Sequence, residues 1–177
     1  MALLDGWRFC PRCTGPLTGQ DDGSLRCDTC GFQTWGHSVP AAQALVERDG
    51  RVLLGRRVFD PGVGLWDVPG GFLEEAEPPL DGLRRELREE TGLEVEPTEF
   101  LGIWLQGYGE RTVLCLTWLA RAVGGDERAG DDLAELRWFG AGELPGPDEL
   151  AFDSYVDILA VWRARRPGRN ETRGAAE

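Results

Sequence analysis

The sequence predicts an α/β protein in which a small metal-bound module precedes a domain of mixed strands and helices. Two CxxC pairs lie near the N-terminus, in a segment with few large apolar residues. From residue 39 onwards, short apolar runs separated by Gly and Asp turn signals accompany two stretches of helical periodicity. A chain of 177 residues with 41% hydrophobic content has room for one globular domain and a module of about 30 residues.

The charge balance limits the partners that the chain can take. The formal net charge is -12, and all 19 basic residues are Arg. Such an acidic chain repels a polyphosphate backbone, so we do not expect nucleic acid as a partner, and an anionic substrate needs cations to approach. No apolar run reaches the roughly 20 residues of a membrane helix, and "MALLDGWRFC" has no signal-peptide pattern. We therefore expect a cytoplasmic protein without membrane association, ending in a disordered tail at 167–177.

Residues 7–36 are predicted to form a zinc ribbon. Two short CxxC turns that each supply a pair of thiolates are typical of a structural Zn²⁺ site, whereas disulfides or a redox CxxC are the alternatives. A cytosolic location favours zinc because thiols stay reduced there. The predicted ligands are Cys10, Cys13, Cys27 and Cys30. The fifth cysteine, Cys115 in "RTVLCLTWLA", is predicted to be a buried core residue rather than a nucleophile.

The main domain is predicted to span residues 39–166 and to begin with a hairpin. Asp49-Gly50 joins the apolar runs of "AAQALVERDGRVLLGRRV", which is a strong hairpin signal. "LWDVPGGFL" predicts two short strands around a turn. A helix follows, begun by Pro78 or Pro79 and ended by Gly92, with Leu80, Leu83 and Leu87 on its apolar face.

Three more strands and a second helix complete the prediction. The strands are "VEPTEFLGIWLQG", "RTVLCLTWLARAV" and "ELRWFG". The helix spans about 148–166, because apolar residues recur there at helical spacing. Those residues are Leu150, Tyr155, Ile158, Leu159 and Trp162.

The first helix carries an unusual concentration of negative charge. At 100° per residue, Glu86, Glu89 and Glu90 lie within an arc of about 100° beside the leucine face. Carboxylates this close repel one another, and a bound hard cation such as Mg²⁺ or Mn²⁺ would offset the repulsion. Arg85 stands four residues before Glu89 and can pair with it. A solvated acidic helix face is the alternative.

The spacing of the residues around this helix carries a resemblance. Gly71 is followed by five residues and Glu77, then by seven residues and the run "REL", one residue, "EE", one residue and "GL". This pattern matches the Nudix box in every defined position, and the chain resembles a Nudix hydrolase from about residue 40 to residue 165.

The resemblance implies a fold, an activity and roles for residues. It implies an α/β/α sandwich with a mixed sheet, and hydrolysis of a nucleoside diphosphate linked to another group X. By position, Glu86, Glu89 and Glu90 resemble the metal-binding set and Arg85 their orienting partner. Gly71 corresponds to a contributor through its backbone carbonyl, and Glu77 to an outlying helper carboxylate.

The match to the family has departures. Ala76 replaces the usual Gly before the box Glu, and Pro78-Pro79 replace a small hydroxyl residue. Gly82 stands where Ala is more typical, at a cost of about 1 kcal/mol of helix stability. None of these changes removes a ligand, so they bear on loop geometry rather than on metal binding.

Other site residues are predicted around the box. Arg56 and Arg57 in "LLGRR" are candidates for phosphate contact, or else exposed strand arginines. In the family the base for the attacking water is a box Glu or a later carboxylate, for which "GDERAGDDLAEL" offers Glu127, Asp131, Asp132 and Glu135. The candidates for stacking on a base, with core packing as the alternative, are Trp104, Tyr108 and Phe152.

The combination of ribbon and box resembles NADH pyrophosphatases and shorter ribbon-bearing hydrolases of ADP-ribose, FAD or related dinucleotides. The Ser-Gln-Pro-Trp type motif of the NADH enzymes is absent from "EVEPTEFLGIWLQGYGE", and their long N-terminal domain is not expected here, which favours the shorter group. Two other hypotheses stay open: a nucleoside triphosphate pyrophosphatase, and a non-catalytic Nudix regulator that binds through its ribbon. We expect the ribbon to have a structural role or to form a homodimer.

Overall fold

The computed structural model describes residues 4–165, which form two separate β-sheets and two α-helices. The predicted disordered tail, 167–177, lies outside the described residues. The smaller sheet is antiparallel and has the strand order β1-β2-β3. Its strands are β1 (Leu17–Gly19), β2 (Leu25–Cys27) and β3 (Gln33–Thr34).

The larger sheet is mixed and has seven strands. These are β4 (Val39–Arg48), β5 (Arg51–Arg57), β6 (Trp66–Asp67), β7 (Gly70–Phe72), β8 (Leu93–Tyr108), β9 (Arg111–Gly125) and β10 (Leu133–Gly140). The main path runs β10-β5-β4-β9-β8, while β6 pairs with β5 and β7 with β4. Strands β4 and β9 are parallel, and the other described pairs are antiparallel.

Every predicted strand is present, and the predicted hairpin joins β4 to β5. Glu47 faces Val52 and Arg48 faces Arg51, which leaves Asp49 and Gly50 as a two-residue loop. Both loop residues have positive φ, at 49° and 80°, as the tightest hairpin turns require. The turn signal in the sequence therefore sets the register of these two strands.

Helix α1 (Pro79–Thr91) covers one face of the large sheet. Pro78 is its N-cap, and Gly92 ends it in the left-handed conformation with its N–H bonded to Arg88 O, as predicted. Leu83 and Leu87 are fully buried among alanines and valines of the sheet. Leu80 was predicted to share their face, but it lies in the first turn and is 39% exposed.

Helix α2 (Ser154–Ala164) covers the opposite face, so the α/β/α sandwich with a mixed sheet is confirmed. It begins six residues later than predicted, because Leu150 forms a parallel bridge with Trp66 and Ala151 N–H donates to Trp66 O. Extended backbone is needed for that pairing, and a short 3₁₀ turn at Pro147–Glu149 precedes it. Neither helix in residues 4–165 has the length and apolar character needed to cross a bilayer.

Candidate active site

A cavity of about 250 Å³ opens where β4, β7, α1 and α2 meet. Its walls combine carboxylates, one arginine, two buried amides and aromatic rings. Five acidic side chains border this small space, which is more negative charge than a cavity keeps without a compensating group. They are Asp67, Glu86, Glu90, Asp131 and Asp132.

Two box glutamates are held against the backbone of β7. The backbone N–H of Gly70 donates to Glu90 Oε2 at 2.8 Å. A Cβ built on Gly71 would lie 2.4 Å from the carboxyl carbon of Glu86, so only glycine lets that carboxylate approach. Gly71 therefore lies directly against the Glu86 carboxylate, and the role of its carbonyl as a metal ligand stays a prediction.

Burial raises the pKa of both carboxyl groups. Glu90 is 5% exposed, and its pKa is raised well above the usual value because the charged form loses hydration and faces Asp67. Burial also raises the pKa of Glu86, although Arg85 opposes the rise. Oxygen donors that resist ionisation in a shared cavity fit a divalent hard cation, which would offset their mutual repulsion.

Arg85 holds the acidic helix face together. Its Nη1 donates to Glu86 Oε1 at 2.8 Å and to Glu89 Oε2 at 3.1 Å, so the predicted pair with Glu89 is present. Its Nη2 also donates to Phe72 O at 3.1 Å. A bidentate pair with Glu77 completes its contacts. Arg85 therefore orients four box carbonyl or carboxylate groups at once.

The three glutamates of the acidic arc do not converge on one point. Glu86 and Glu90 border the cavity, whereas Glu89 is half exposed and points to Arg85. Among residues 4–165, only the four cysteines form a cluster of three or more ligand side chains whose donor atoms all lie within 4.8 Å of one another. Glu89 pairs with Arg85 and does not border the cavity.

The departures from the family pattern have local consequences. Ala76 has a φ of 61°, a left-handed conformation that favours Gly, which explains why Gly is usual there. A Cβ on Gly82 would lie 2.5 Å from Leu73 Cδ2 and 2.7 Å from Glu77 Oε2. The glycine therefore makes room for the loop that carries Glu77.

Two of the four candidates for a base, Asp131 and Asp132, are placed at the cavity by the loop after β9. The backbone of this loop is tied to the end of α1 by bonds from Arg128 N–H to Thr91 O and from Gly130 N–H to Glu90 O, each 2.9 Å long. These bonds satisfy carbonyls that a helix end leaves free, and they place Asp131 and Asp132 at the cavity.

The other two candidates lie elsewhere. Glu127 pairs with Arg48 at 2.6 Å and accepts a hydrogen bond from the Trp138 indole. Glu135 pairs with Arg56 at 3.0 Å. Neither Glu127 nor Glu135 borders the cavity.

Of the two candidate arginines, Arg57 borders the cavity and Arg56 does not. Arg57 is 8% exposed and borders the cavity, where it pairs with the buried Asp67 and donates to Pro61 O at 2.7 Å. Burial acts to lower the pKa of Arg57, but the charge of Asp67 outweighs it and the pKa is raised. Arg56 points away from the cavity, bonds to Gly64 O and covers the Trp66 ring.

Two of the three candidate stacking residues line the cavity. Tyr108 and Phe152 lie with ring centroids 6.3 Å apart and planes inclined by 26°, and the Arg57 guanidinium faces both rings. Trp104 instead packs against the core beneath α2, which is the alternative that the sequence left open.

Sequence reasoning missed several buried polar residues of the cavity wall. Gln43 Nε2 donates to Thr117 Oγ1 at 2.8 Å, and the Tyr155 hydroxyl donates to Asp67. Gln106 Nε2 donates to Ser154 Oγ at 2.9 Å. Gln43 and Gln106 could have been found from the sequence, because each is an amide at a core position of an otherwise apolar strand. A polar side chain at such a position has hydrogen-bond partners inside the protein.

Cys115 is buried, as predicted, and also lines the cavity. Its thiol donates to Gln106 Oε1 at 2.9 Å. Burial raises the pKa of Cys115 to about 12, so it is present as the thiol rather than as a nucleophilic thiolate.

The four ribbon cysteines converge in space. Cys10 Sγ lies 3.6 Å from Cys30 Sγ, and Cys13 Sγ lies 3.5 Å from Cys27 Sγ. None of the four forms a disulfide in the described structure. Sulfurs held tetrahedrally at about 2.3 Å from Zn²⁺ are separated by a similar distance, so this cluster fits zinc.

The two CxxC turns share one backbone design. Thr14 N–H donates to Cys10 O, and Gly31 N–H donates to Cys27 O, each at 2.9 Å. Both donors have positive φ, at 60° and 73°. Two equivalent turns therefore face each other across the sulfur cluster.

Comparison with known proteins places the chain in a family. The NUDIX domain model matches residues 37–168. The chain belongs to the Nudix family. This Nudix protein is 32% identical over 124 residues to an ADP-ribose pyrophosphatase from Methanocaldococcus jannaschii, covering 69% of the chain and 72% of that relative.

A second relative extends over the ribbon. The Nudix protein is 30% identical over 168 residues to the NAD-capped RNA hydrolase NudC of Stutzerimonas stutzeri, covering 93% of the chain but only 59% of that relative. A crystal structure of a NUDIX hydrolase from Nitrosomonas europaea superposes with a TM-score of 0.79 at 26% identity, covering 90% of the chain and 92% of that structure. The box, the fold and these relatives identify a Nudix pyrophosphohydrolase.

Proposed function

We propose that this Nudix protein cleaves the diphosphate bond of a nucleoside diphosphate linked to a second group, with ADP-ribose, FAD and NAD(H) as candidate substrates. One observation carries the proposal: a single cavity joins the box carboxylates Glu86 and Glu90 to a stacked ring pair, Tyr108 and Phe152. The two carboxylates suit a divalent cation that would hold the diphosphate, and the two rings suit a base. The names of the two relatives, ADP-ribose pyrophosphatase and NAD-capped RNA hydrolase, agree with substrates of this class.

The residues that would hold Mg²⁺ or Mn²⁺ are Glu86 and Glu90, with Gly71 through its carbonyl and Glu89 after release from Arg85. When bound, the cation supplies positive charge that stabilises the diphosphate and favours ionisation of water. Arg85 orients Glu86 through its Nη1, and Gly70 orients Glu90 through its N–H. These contacts fix the carboxylates before the substrate arrives, which avoids reorganisation during the reaction.

The proposed reaction is attack of water on one phosphorus. The water oxygen forms a bond to phosphorus, the bridging P–O bond breaks, and two monophosphates leave. Asp131 and Asp132 stand at the cavity and are the candidates to accept the proton of the water. Arg57 faces the two rings, and its ion pair with Asp67 offsets one of the negative charges that would repel an anionic substrate.

We further propose a division of labour along the chain. Residues 7–36 form a structural ribbon that binds Zn²⁺ through the four cysteines, and residues 39–166 form the catalytic domain. Too few large apolar side chains are buried in the ribbon to fold it unaided, so metal binding supplies its folding free energy. A homodimer formed through the ribbon stays a prediction.

Product analysis in ¹⁸O-labelled water tests the reaction. The protein is incubated with Mg²⁺ and ADP-ribose, FAD, NADH or nucleoside triphosphates, and the products are identified by mass spectrometry. We expect two monophosphates from the diphosphate-linked substrates, one of which carries the label. Release of pyrophosphate from triphosphates with no cleavage of the other compounds would establish the triphosphate pyrophosphatase instead. No cleavage of any compound would favour the non-catalytic regulator.

A further inference from the structure

A second cavity, of about 690 Å³, lies between the start of the ribbon and the Nudix domain. The loop at Asp60-Pro61 and the β8–β9 hairpin at 108–111 form its domain side, and Trp7 borders this open cavity from the other side. Phe72 and Tyr108 border both cavities. The two spaces are therefore neighbours across a shared wall, and the larger one includes a residue of the N-terminal segment.

The first cavity is small for a whole dinucleotide. Typical ligand pockets have roughly 300–1,000 Å³, and the first cavity, at about 250 Å³, lies below that range. A diphosphate at Glu86 and Glu90 with a base against Tyr108 and Phe152 would fill it. The group on the other side of the diphosphate then needs space outside, and the adjoining cavity supplies it.

The two cavities differ in the chemical groups that line them. The first cavity has the buried amides of Gln43 and Gln106, each with a second N–H available to bond the edge of a base. The second has the Trp7 ring, which is 45% exposed, and the flat face of Pro61. A ring surface without amide donors selects flat groups by stacking and tolerates different ring chemistries.

The charges of the second cavity narrow its occupant. Asp60 and Glu110 face it with two negative charges against the single positive charge of Arg111. This balance disfavours a further phosphate group, and hence a polynucleotide extension or a triphosphate. A neutral or cationic planar ring fits better.

Trp7 is positioned by the ribbon. Its backbone N–H donates to Leu4 O at 3.1 Å, and the carbonyl of the next residue, Arg8, accepts a hydrogen bond from Leu17 N–H at 3.0 Å. Phe9 forms a bridge with Pro16 just before the first zinc-ligand cysteine. The indole is thus attached to a module with its own sheet, rather than to a free chain end.

We propose that the second cavity binds a planar aromatic ring in the group X of the substrate, and that Trp7 of the ribbon stacks on that ring. The inference rests on the proposed function, which places the diphosphate and the first base in the first cavity. It assigns the ribbon a direct part in substrate selection. Substrates with an aromatic ring at both ends use Trp7, and ADP-ribose, which has a single base, does not.

Kinetics of Trp7 variants test the proposal. We expect Trp7→Ala to raise KM about 5- to 30-fold for NAD⁺ and FAD, whose second rings are aromatic, because stacking of a ring on an aromatic side chain contributes a factor of about that order. The KM for ADP-ribose should stay within about twofold, and Trp7→Phe should restore most of the loss. The matched control is Phe9→Ala, since Phe9 belongs to the same segment, is 72% exposed and does not border the cavity. Equal effects of Trp7→Ala on all three substrates, or none on any, would overturn the inference.

Binding of FMN and ribose 5-phosphate separates this inference from the proposed function. Titration calorimetry of the intact protein with each compound needs no turnover, and FMN carries the ring that ribose 5-phosphate lacks. We expect Trp7→Ala to weaken FMN binding about 5- to 30-fold and to leave ribose 5-phosphate unchanged. If no diphosphate is cleaved but FMN binding still depends on Trp7, the reaction is wrong and the subsite stands. If cleavage occurs and neither FMN binding nor KM depends on Trp7, the subsite is wrong and the reaction stands.

Discussion

Arg85 and Glu77 form a bidentate ion pair, in which Nε and Nη2 of the arginine each lie 2.9 Å from a different carboxylate oxygen. Glu77 precedes α1, so the pair ties the loop of the box to its helix. Glu77 Oε2 also accepts the backbone N–H of Glu74 at 3.0 Å. The outlying box carboxylate therefore acts on loop geometry through Arg85, which in turn holds Glu86 and Glu89.

This pair predicts a pH-dependent loss of stability. The hydrogen bonds from Arg85 and from Glu74 N–H lower the pKa of Glu77 from 4.5 to about 2. A carboxyl group whose pKa is lowered by folding stabilises the fold at pH values above its unfolded pKa. This contribution to stability is lost as the pH falls towards its folded pKa. We expect Glu77→Gln to be less stable than wild type near pH 6, with the difference shrinking between about pH 4.5 and 2 in urea titrations without added Mg²⁺ or Mn²⁺. Glu75→Gln, a change of an exposed neighbour, should show no such trend.

Local patterns allowed much of the fold to be predicted. The Asp49-Gly50 turn, the Pro-to-Gly limits of α1 and the alternation of the strands each depend on residues close in sequence. Leu83 and Leu87 were placed correctly because a helix facing a sheet buries residues at its own period. The spacing of the box picked out Gly71, Glu86 and Glu90, which border one cavity, and also Glu89, which does not border it.

Features that depend on distant segments were not predicted. The parallel pairing of β4 with β9 brings Gln43 beside Thr117, which lies 74 residues away, and no local signal specifies that contact. The bridge from Leu150 to Trp66 makes α2 begin at Ser154, later than the helical spacing of the apolar residues predicts. Tertiary hydrogen bonding there overrides a weak local preference.

Removal of charge from the box ligands should lower turnover. Because Glu86 and Glu90 border the cavity and would hold the cation, we expect Glu86→Gln or Glu90→Gln to lower kcat about 100-fold or more at saturating Mg²⁺. Glu75→Gln is the matched control, since Glu75 is exposed on the box loop. Turnover near wild type in both box variants, with circular dichroism unchanged, would mean that the acidic arc is only a solvated face.

The same Glu90 substitution should raise stability when no cation is bound. Burial and the nearby Asp67 raise the pKa of Glu90, so ionised Glu90 weakens the fold, and wild type loses stability as pH rises through the raised pKa. The neutral amide introduced by Glu90→Gln keeps an acceptor for Gly70 N–H without that charge. We expect a higher Tm for Glu90→Gln than for wild type at pH about 8 in buffer without added Mg²⁺ or Mn²⁺, and a smaller or reversed difference in Mg²⁺. An equal or lower Tm without added Mg²⁺ or Mn²⁺ would contradict this expectation.

The position of the loop after β9 predicts which carboxylate serves as the base. Asp131 and Asp132 border the cavity, whereas Glu127 and Glu135 are paired with arginines outside it. We expect Asp131→Asn or Asp132→Asn to lower kcat about 100-fold, since a general base contributes that order of rate enhancement. The controls Glu127→Gln and Glu135→Gln should change kcat less than about threefold. A larger loss in a control than in either aspartate variant would move the base to that control position.

Zinc in the ribbon can be measured directly. We expect about one zinc per chain by elemental analysis, because the four sulfurs of the cluster supply a complete tetrahedral ligand set. Cys13→Ser should lose the metal and the hydrogen-exchange protection of residues 7–36, whereas Cys115→Ser should retain both. A zinc-free wild-type protein whose ribbon amides remain protected would refute the structural role of the metal.

The same substitution at the two neighbouring arginines, Arg56 and Arg57, should destabilise the protein to different extents. Arg57 and its partner Asp67 are both 8% exposed at the side chain, so Arg57→Met leaves a buried carboxylate without its counter-charge. Loss of one partner of a buried pair costs about 3–5 kcal/mol, and we expect urea unfolding to show a destabilisation of that size. The double variant Arg57→Met with Asp67→Asn should recover part of it, because no unpaired charge then remains. Arg56→Met, which removes an exposed pair with Glu135, a hydrogen bond to Gly64 O and a contact with the Trp66 ring, should cost less than Arg57→Met. If Arg56→Met lowers the free energy of unfolding as much as Arg57→Met does, burial of the Arg57–Asp67 pair is not the reason for its contribution to stability.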